Sequence, residues 1–161
     1  MANTNATQRR DHNNIAAGKG DGATIKSLPC TVELAAASSG DTVTFGYIPS
    51  NARILPSSRL YVDDCATSGS PTLDVGIGAV NGNLANSDDP DAIGNGHALA
   101  TAANDIMVFN ADIASHALPA WDLVASETSD PGGILKVYGT VKDASTTQTG
   151  TITLDLQYVI D

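Results

Sequence analysis

Residues 40–78 read GDTVTFGYIPSNARILPSSRLYVDDCATSGSPTLDVGIG. Within them Thr42-Val43-Thr44-Phe45 alternates polar and apolar, and Gly46 and Pro49 close the run. Arg53-Ile54-Leu55 and Arg59-Leu60-Tyr61-Val62 form a second apolar run, interrupted at Pro56. Asp63-Asp64 and Thr67-Ser68-Gly69-Ser70-Pro71 make the next turn, and Leu73-Asp74-Val75-Gly76-Ile77 alternates again. Successive side chains on a strand point to opposite faces. A period of two, bounded by Gly, Pro, Asp and Ser, therefore marks half-buried strands. No catalytic pattern falls among these strands. The stretch reads as scaffold, and function is to be sought at its edges and in its arm.

Working outward, the same rhythm places strands near 24–35, 41–48, 52–63, 71–78, 105–109, 120–127, 133–142 and 149–159. Thr151 to Val159 alternates throughout, and Ile134 to Val141 does nearly as well. The polar residues 143–150 join those two as a hairpin connection. Two pieces break the rhythm. Residues 79–104 are too long for a hairpin turn and read as a loop, with a short helix near Gly96 to Ala103 and Ala92-Ile93 packed beneath. Asn110 to Pro119 has room for one helical turn. The expected fold is all-β: one β-sandwich of about eight strands, with a jelly roll as the expected wiring. Strand order is not legible.

Composition agrees. The chain has 161 residues, 42% of them hydrophobic and only 4% aromatic, which suits one domain with an aliphatic core. Its acids are sixteen Asp against two Glu, Glu33 and Glu127. Asp favours turns and Glu favours helix interiors, so the bias supports β-structure. Residues 1–23 are polar and cannot bury enough surface to fold alone. They are read as an extended N-terminal arm, and residues 24–161 as the sandwich domain.

Charge narrows the function. The net charge of −10 argues against direct nucleic-acid binding, which needs a basic face. Residues 1–26 hold four basic residues (Arg9, Arg10, Lys19, Lys26) and two acids, a local charge of +2; the remainder holds four basic and sixteen acidic residues, a charge of −12. A basic arm on an acidic body is suited to docking on an acidic neighbour. The first residues have no apolar stretch of the signal-peptide kind, and no run approaches the ~20 apolar residues of a membrane helix. No membrane partner is expected, and synthesis is expected in a cytoplasm.

No constellation carries catalysis. Asn81, Asn83, Asn86, Asp88, Asp89 and Asp91 offer oxygen ligands, but without EF-hand spacing or a terminal Glu they read as turn chemistry. His12, His97 and His116 have no carboxylate or Cys partner at telling spacing. Cys30 and Cys65 lack zinc spacing and read as free thiols, with a disulfide open if their strands pair. Gly18-Lys19-Gly20-Asp21-Gly22 lacks the Ser/Thr that follows the lysine of a phosphate-binding loop. Trp121 is the sole tryptophan and reads as a strand-starting cap on the core, with sugar stacking as its functional alternative. No cofactor and no metal is expected.

The quoted stretch, followed by DDPDAIGNGHALATAA, resembles small structural proteins of tailed bacteriophages. The matching pieces are Tyr47-Ile48-Pro49-Ser50, Thr72-Leu73-Asp74-Val75-Gly76 and the Asp-Pro-Asp-Ala segment at 89–92. The resemblance implies a non-enzymatic virion protein of the capsid decoration or cement type, made in a host bacterium and seated on the capsid surface. Its partner would be the major capsid protein, and it would be a homo-oligomer, with a trimer favoured. On that reading Asn3, Arg9, Arg10, Asn14 and Ile15 are expected capsid contacts. Asn83, Asp88, Asp89 and Asp91 would form an intersubunit or capsid-contact loop. Two alternatives stay open: a tail, baseplate or head-fibre component, and a carbohydrate-binding β-sandwich module.

Overall fold

The computed structural model describes residues 24–63, 65, 69–85, 88–100, 103–110, 113–125, 127–144 and 146–160. Their strands are β1 (Lys26–Ala37), β2 (Thr42–Pro49), β3 (Ala52–Ile54), β4 (Arg59–Val62), β5 (Thr72–Gly78), β6 (Asp89–Ala98), β7 (Ala103–Met107), β8 (Ile134–Lys142) and β9 (Gln148–Ile160). Short 3-10 helices at Ile113–Ala117 and Ala120–Leu123 lie between β7 and β8.

One sheet runs β1-β9-β4-β7, with β3 also paired to β9; the other runs β2-β8-β5-β6. The pairs β1·β9, β2·β8, β4·β7 and β5·β6 are all antiparallel and nest from outermost to innermost, as in one long folded hairpin. Alternate pairs fall in alternate sheets, and β9·β4 and β8·β5 knit each sheet together. That is the wiring of a jelly roll.

The alternating runs explain the packing. Ile152, Leu154 and Leu156 of β9 point inward with Leu34, Leu60 and Val62. They meet Leu73, Val75, Ile77, Leu135, Val137 and Val141 of the facing sheet, and all of these are buried. Each such aliphatic side chain contributes about 1.5–3 kcal/mol by leaving water. The outer face of the first sheet is polar and tied across strands. The Thr31 and Thr153 hydroxyls meet at 2.9 Å, Thr151 donates to Glu33 at 2.7 Å, and Ser27 donates to Asp155.

The second sheet departs from simple alternation. Between Val75 and Ile77 β5 advances two residues while its partner β6 runs back from Gly94 to Asp89. The surplus residues fold over the outside of β5, so Asp74 and Gly76 are buried as well as Leu73, Val75 and Ile77. Gly76 makes this possible: a Cβ there would stand 2.1 Å from the Asp89 carbonyl oxygen and 2.5 Å from the Pro90 Cα.

Several expectations need correction. Residues 52–63 form two short strands, because Pro56 breaks the run between β3 and β4. The expected loop 79–104 contains β6, and the expected helix near Gly96 gives way to strand through Ala98. Ile93 is fully buried, but on that strand. The expected strand at 120–127 is absent among the described residues of that span. Pro119 opens a 3-10 helix whose turns close through Asp122 N–H to Pro119 O (3.0 Å) and Val124 N–H to Trp121 O (3.3 Å). Trp121 packs partly buried against the core from this helix. Cys30 is half-buried and Cys65 is buried, its thiol donating to the Asp63 carbonyl at 2.8 Å.

Candidate functional site: the arm end of the sandwich

Topology brings several strand ends and the turn before β6 to one end of the sandwich. β1 turns into β2 through residues 38–41, so the Lys26 end of β1 and the Pro49 end of β2 lie together. The close packing of Leu28 on Gly46, whose added Cβ would lie 3.0 Å from both Leu28 methyls, agrees. Pro49 pairs with Ile134, Gly78 with Lys136, and Lys26 with Tyr158, which adds the start of β8 and the ends of β5 and β9. The described residues begin at Thr24, just before β1. The expected contacts Asn3, Arg9, Arg10, Asn14 and Ile15 lie outside the described residues.

Asn83, Asp88, Asp89 and Asp91 are gathered at the same end, each tied into the chain. Asn83 accepts from Val80 N–H at 2.7 Å and donates to the Ile134 carbonyl at 3.0 Å, clamping its turn onto β8. Asp88 accepts from Ala79 N–H at 2.8 Å and pairs with Lys136 at 3.2 Å. Asp89 accepts from Ala125 N–H at 2.9 Å, and exposed Asp91 accepts from the Asn95 amide at 2.8 Å. The Asn95 hydrogen bond, then that of Asp89, holds the Asp91 carboxyl below its ordinary pKa of 3.8. Beside them Tyr138 is buried on the outer face under Lys136, whose Nζ lies 4.7 Å from the ring centre. Burial first, and then the charges of Asp88, Asp89 and Asp91, push the phenol up to about 12.

Apolar side chains at this end complete the surface. Tyr47 is 52% exposed, Ile134 46% and Ile25 60%. Tyr47 and Ile134 are diagonal neighbours on one face, since Tyr47 pairs with Lys136 and Pro49 with Ile134. A strict period of two from Val43 and Phe45 would put Tyr47 inside. A β-bulge between Thr44 and Gly46 shifts the phase, burying Ile48 and turning Tyr47 outward.

The two histidines among the described residues, His97 and His116, serve packing. His116 stacks on Phe109 with ring centres 4.6 Å apart. His97 is buried, with Nε2 3.1 Å from the Val108 carbonyl, and Gly94 leaves its ring room: a Cβ there would lie 2.4 Å from Nε2. Burial holds His97 below its ordinary pKa of 6.5 against the opposing pull of the Val108 carbonyl and Asp74. The unfolded chain thus binds this proton more readily than the folded one. Stability from neutral His97 is complete above pH 6.5 and is lost as pH falls below it. The urea midpoint is expected to drop on acidification from pH 6.5 toward the lowered folded-state pKa, and His97→Gln is expected to flatten that dependence. An equal slope in the variant would contradict the assignment.

Among the described residues, no group of three or more His, Cys, Asp or Glu is placed to hold a metal ion. Among them also, no helix is long and apolar enough to cross a membrane. No protein-family model matches the chain, and no curated protein matches it. Among solved structures it is similar to a chain of the cyanophage Pam1 capsid asymmetric unit. The TM-score is 0.50 and the identity 19%, over 100% of both chains. A likeness at that identity is one of fold.

Proposed function

We propose that the chain is a non-enzymatic structural protein of a bacteriophage virion, of the capsid decoration or cement type. The observation that carries this reading is the full-length likeness of fold to a chain of a phage capsid asymmetric unit. It agrees with the bacteriophage resemblance, which runs from about residue 15 to 101. The partner is the major capsid protein, the place is the outer capsid surface, and the protein acts as a homo-oligomer, a trimer being favoured. The acidic body supports a role away from nucleic acid.

The physical task is bracing. A packaged genome pushes outward, and a clamp that binds assembled shell adds contacts that must break before the shell opens. The arm, through Asn3, Arg9, Arg10, Asn14 and Ile15, would extend that contact, at the entropic cost of ordering a polar segment. Purified protein added to shells stripped of it is expected to co-sediment with them and to raise their disruption temperature. Co-sedimentation without added shell stability would leave a virion attachment and remove the cement role. Failure to bind shells, with binding to tail or baseplate preparations, would favour the first alternative; selective retention on a polysaccharide column would favour the carbohydrate-binding one.

A further inference from the structure

The chain contains two Asn-Gly steps, Asn81-Gly82 and Asn95-Gly96. Both are exposed, and each glycine takes a φ of +72°. Their hydrogen bonding differs. The Asn95 side-chain amide donates to Asp91 at 2.8 Å, and Gly96 N–H donates to buried Asp74 at 2.9 Å. The main chain of Asn95 is fixed as well: its N–H donates to the Asn110 side chain at 2.9 Å, and its carbonyl accepts from that side chain at 2.8 Å. Asn81-Gly82 sits at the tip of the turn from Val80 to Asn83, with Asn81 also at positive φ (55°), the I′ pattern that Asn-Gly favours. Among the described residues no hydrogen bond holds the Asn81 side chain or the Gly82 N–H, and nothing lies within 4 Å of a Cβ added at Gly82. The turn is closed by its neighbours instead. Asn83 N–H donates to the Val80 carbonyl at 3.2 Å, and the Asn83 side chain accepts from Val80 N–H at 2.7 Å and donates to the Ile134 carbonyl at 3.0 Å.

We propose that Asn81 is a site of spontaneous modification, its side-chain amide converting to aspartate and isoaspartate while Asn95 is protected. The chemistry needs only water. The Gly82 nitrogen gives up its proton and attacks the Asn81 side-chain carbonyl carbon. The new C–N bond closes a cyclic succinimide, and the bond to the amide nitrogen breaks, releasing ammonia. Water then opens the ring at either carbonyl, giving aspartate or isoaspartate. Glycine leaves this nitrogen unshielded and the main chain free to rotate into the attack. The left-handed turn must open first, so the contacts of Asn83 set the rate. At Asn95 the same attack must break the bonds to Asp91 and Asp74, and it must form a nitrogen anion beside the Asp74 carboxylate, which like charge opposes. Each bond of that kind slows the step by about 10-fold or more. Isoaspartate adds a carbon to the main chain of a turn whose ends are pinned at 3.2 Å, and so frees Asn83 from Val80 and from β8. Aspartate adds a negative charge to the end of the domain that already holds Asp88 and Asp89. The loss of ammonia does not reverse, so the turn records the age of the folded protein.

The test is peptide mapping by mass spectrometry of the purified full-length chain, held folded at mildly alkaline pH and digested in acid, with the amide-to-acid mass change read at each asparagine. It needs no particle, so its outcome is independent of the virion reading. Asn81 is expected to convert at least about 10-fold faster than Asn95, with isoaspartate among the products. In urea, which removes the protecting bonds, the two rates are expected to converge. Asn83→Ala, which opens the turn, is expected to raise the Asn81 rate several-fold and to leave Asn95 unchanged. Equal conversion at the two sites in the folded chain would overturn the proposal. So would an Asn81 that stays intact over the time in which the urea-unfolded chain converts. An Asn81 preference that persists undiminished in urea would also overturn it, because sequence and not structure would then be the cause. An unchanged Asn81 rate in Asn83→Ala would contradict the control given to the turn.

Discussion

Replacing Gly76 by alanine is expected to destabilise the domain by about 3 kcal/mol or more, the upper range for a single substitution. The added methyl would stand 2.1 Å from the Asp89 carbonyl oxygen, 2.4 Å from the Pro90 carbonyl carbon and 2.5 Å from its Cα. All three are backbone atoms, so no side chain can swing away to admit it. To accept it, the start of β6 must lift off β5. That would disturb the Asp88 tie to Lys136 and Ala79, the Asp89 tie to Ala125, and the cover over Tyr138. Chemical denaturation of wild type and variant measures the difference. Gly82→Ala serves as a contrast: nothing lies within 4 Å of its added Cβ, and the cost there is that of a left-handed φ of +72° alone. That is about 1 kcal/mol. Equal losses at the two positions would show that the covering of β5 by β6 is not the tight contact described.

Deleting residues 2–20 is expected to lower affinity for shells by about 100-fold or more, since arms acting together multiply their individual contributions. The fold should survive. Among the described residues the buried core begins within β1, where Leu34, at the end of the strand far from Lys26, is the first fully buried side chain. The measurement is co-sedimentation of truncated protein with stripped shells, beside thermal unfolding of the same sample. Full binding by a folded truncation would remove the arm, with Arg9 and Arg10, from the mechanism. The domain end would then be the remaining contact.

The sequence made the fold class legible because its cleanest signals sit where burial is one-sided. β9 alternates through Ile152, Leu154 and Leu156, and each lies inside with a half-buried polar neighbour outside. The same rule failed where a third element intervenes. β6 was hidden because Asp89-Pro90-Asp91 and the glycines at 94 and 96 read as turn residues. Its pairing depends on a bulge that tucks the chain over Gly76, a contact between segments distant in sequence. Residues 120–127 misled in the other direction. Their apolar content suits a strand, but Pro119 and the bond from Trp121 N–H to Ser50 O (3.1 Å) hold a 3-10 turn against the end of β2.

The acidic loop was legible as a unit and illegible in its bonding. Asn83 and the three aspartates do converge, yet their oxygens are spent on Val80, Ala79, Ala125, Lys136 and Asn95. The exposed Tyr47 was missed for a definite reason, the phase shift at the bulge before Gly46. Sequence patterning reports which residues seek a core. It does not report which of them a bulge turns out into solvent.

The most direct test of the central claim is quantitative mass spectrometry of purified virions, counting this chain against the major capsid protein. A capsid decoration protein predicts many copies, in simple whole-number proportion to the shell subunit. A count of only a few per particle would move the chain to the tail, baseplate or a unique vertex. Its absence from particles would contradict the virion reading altogether.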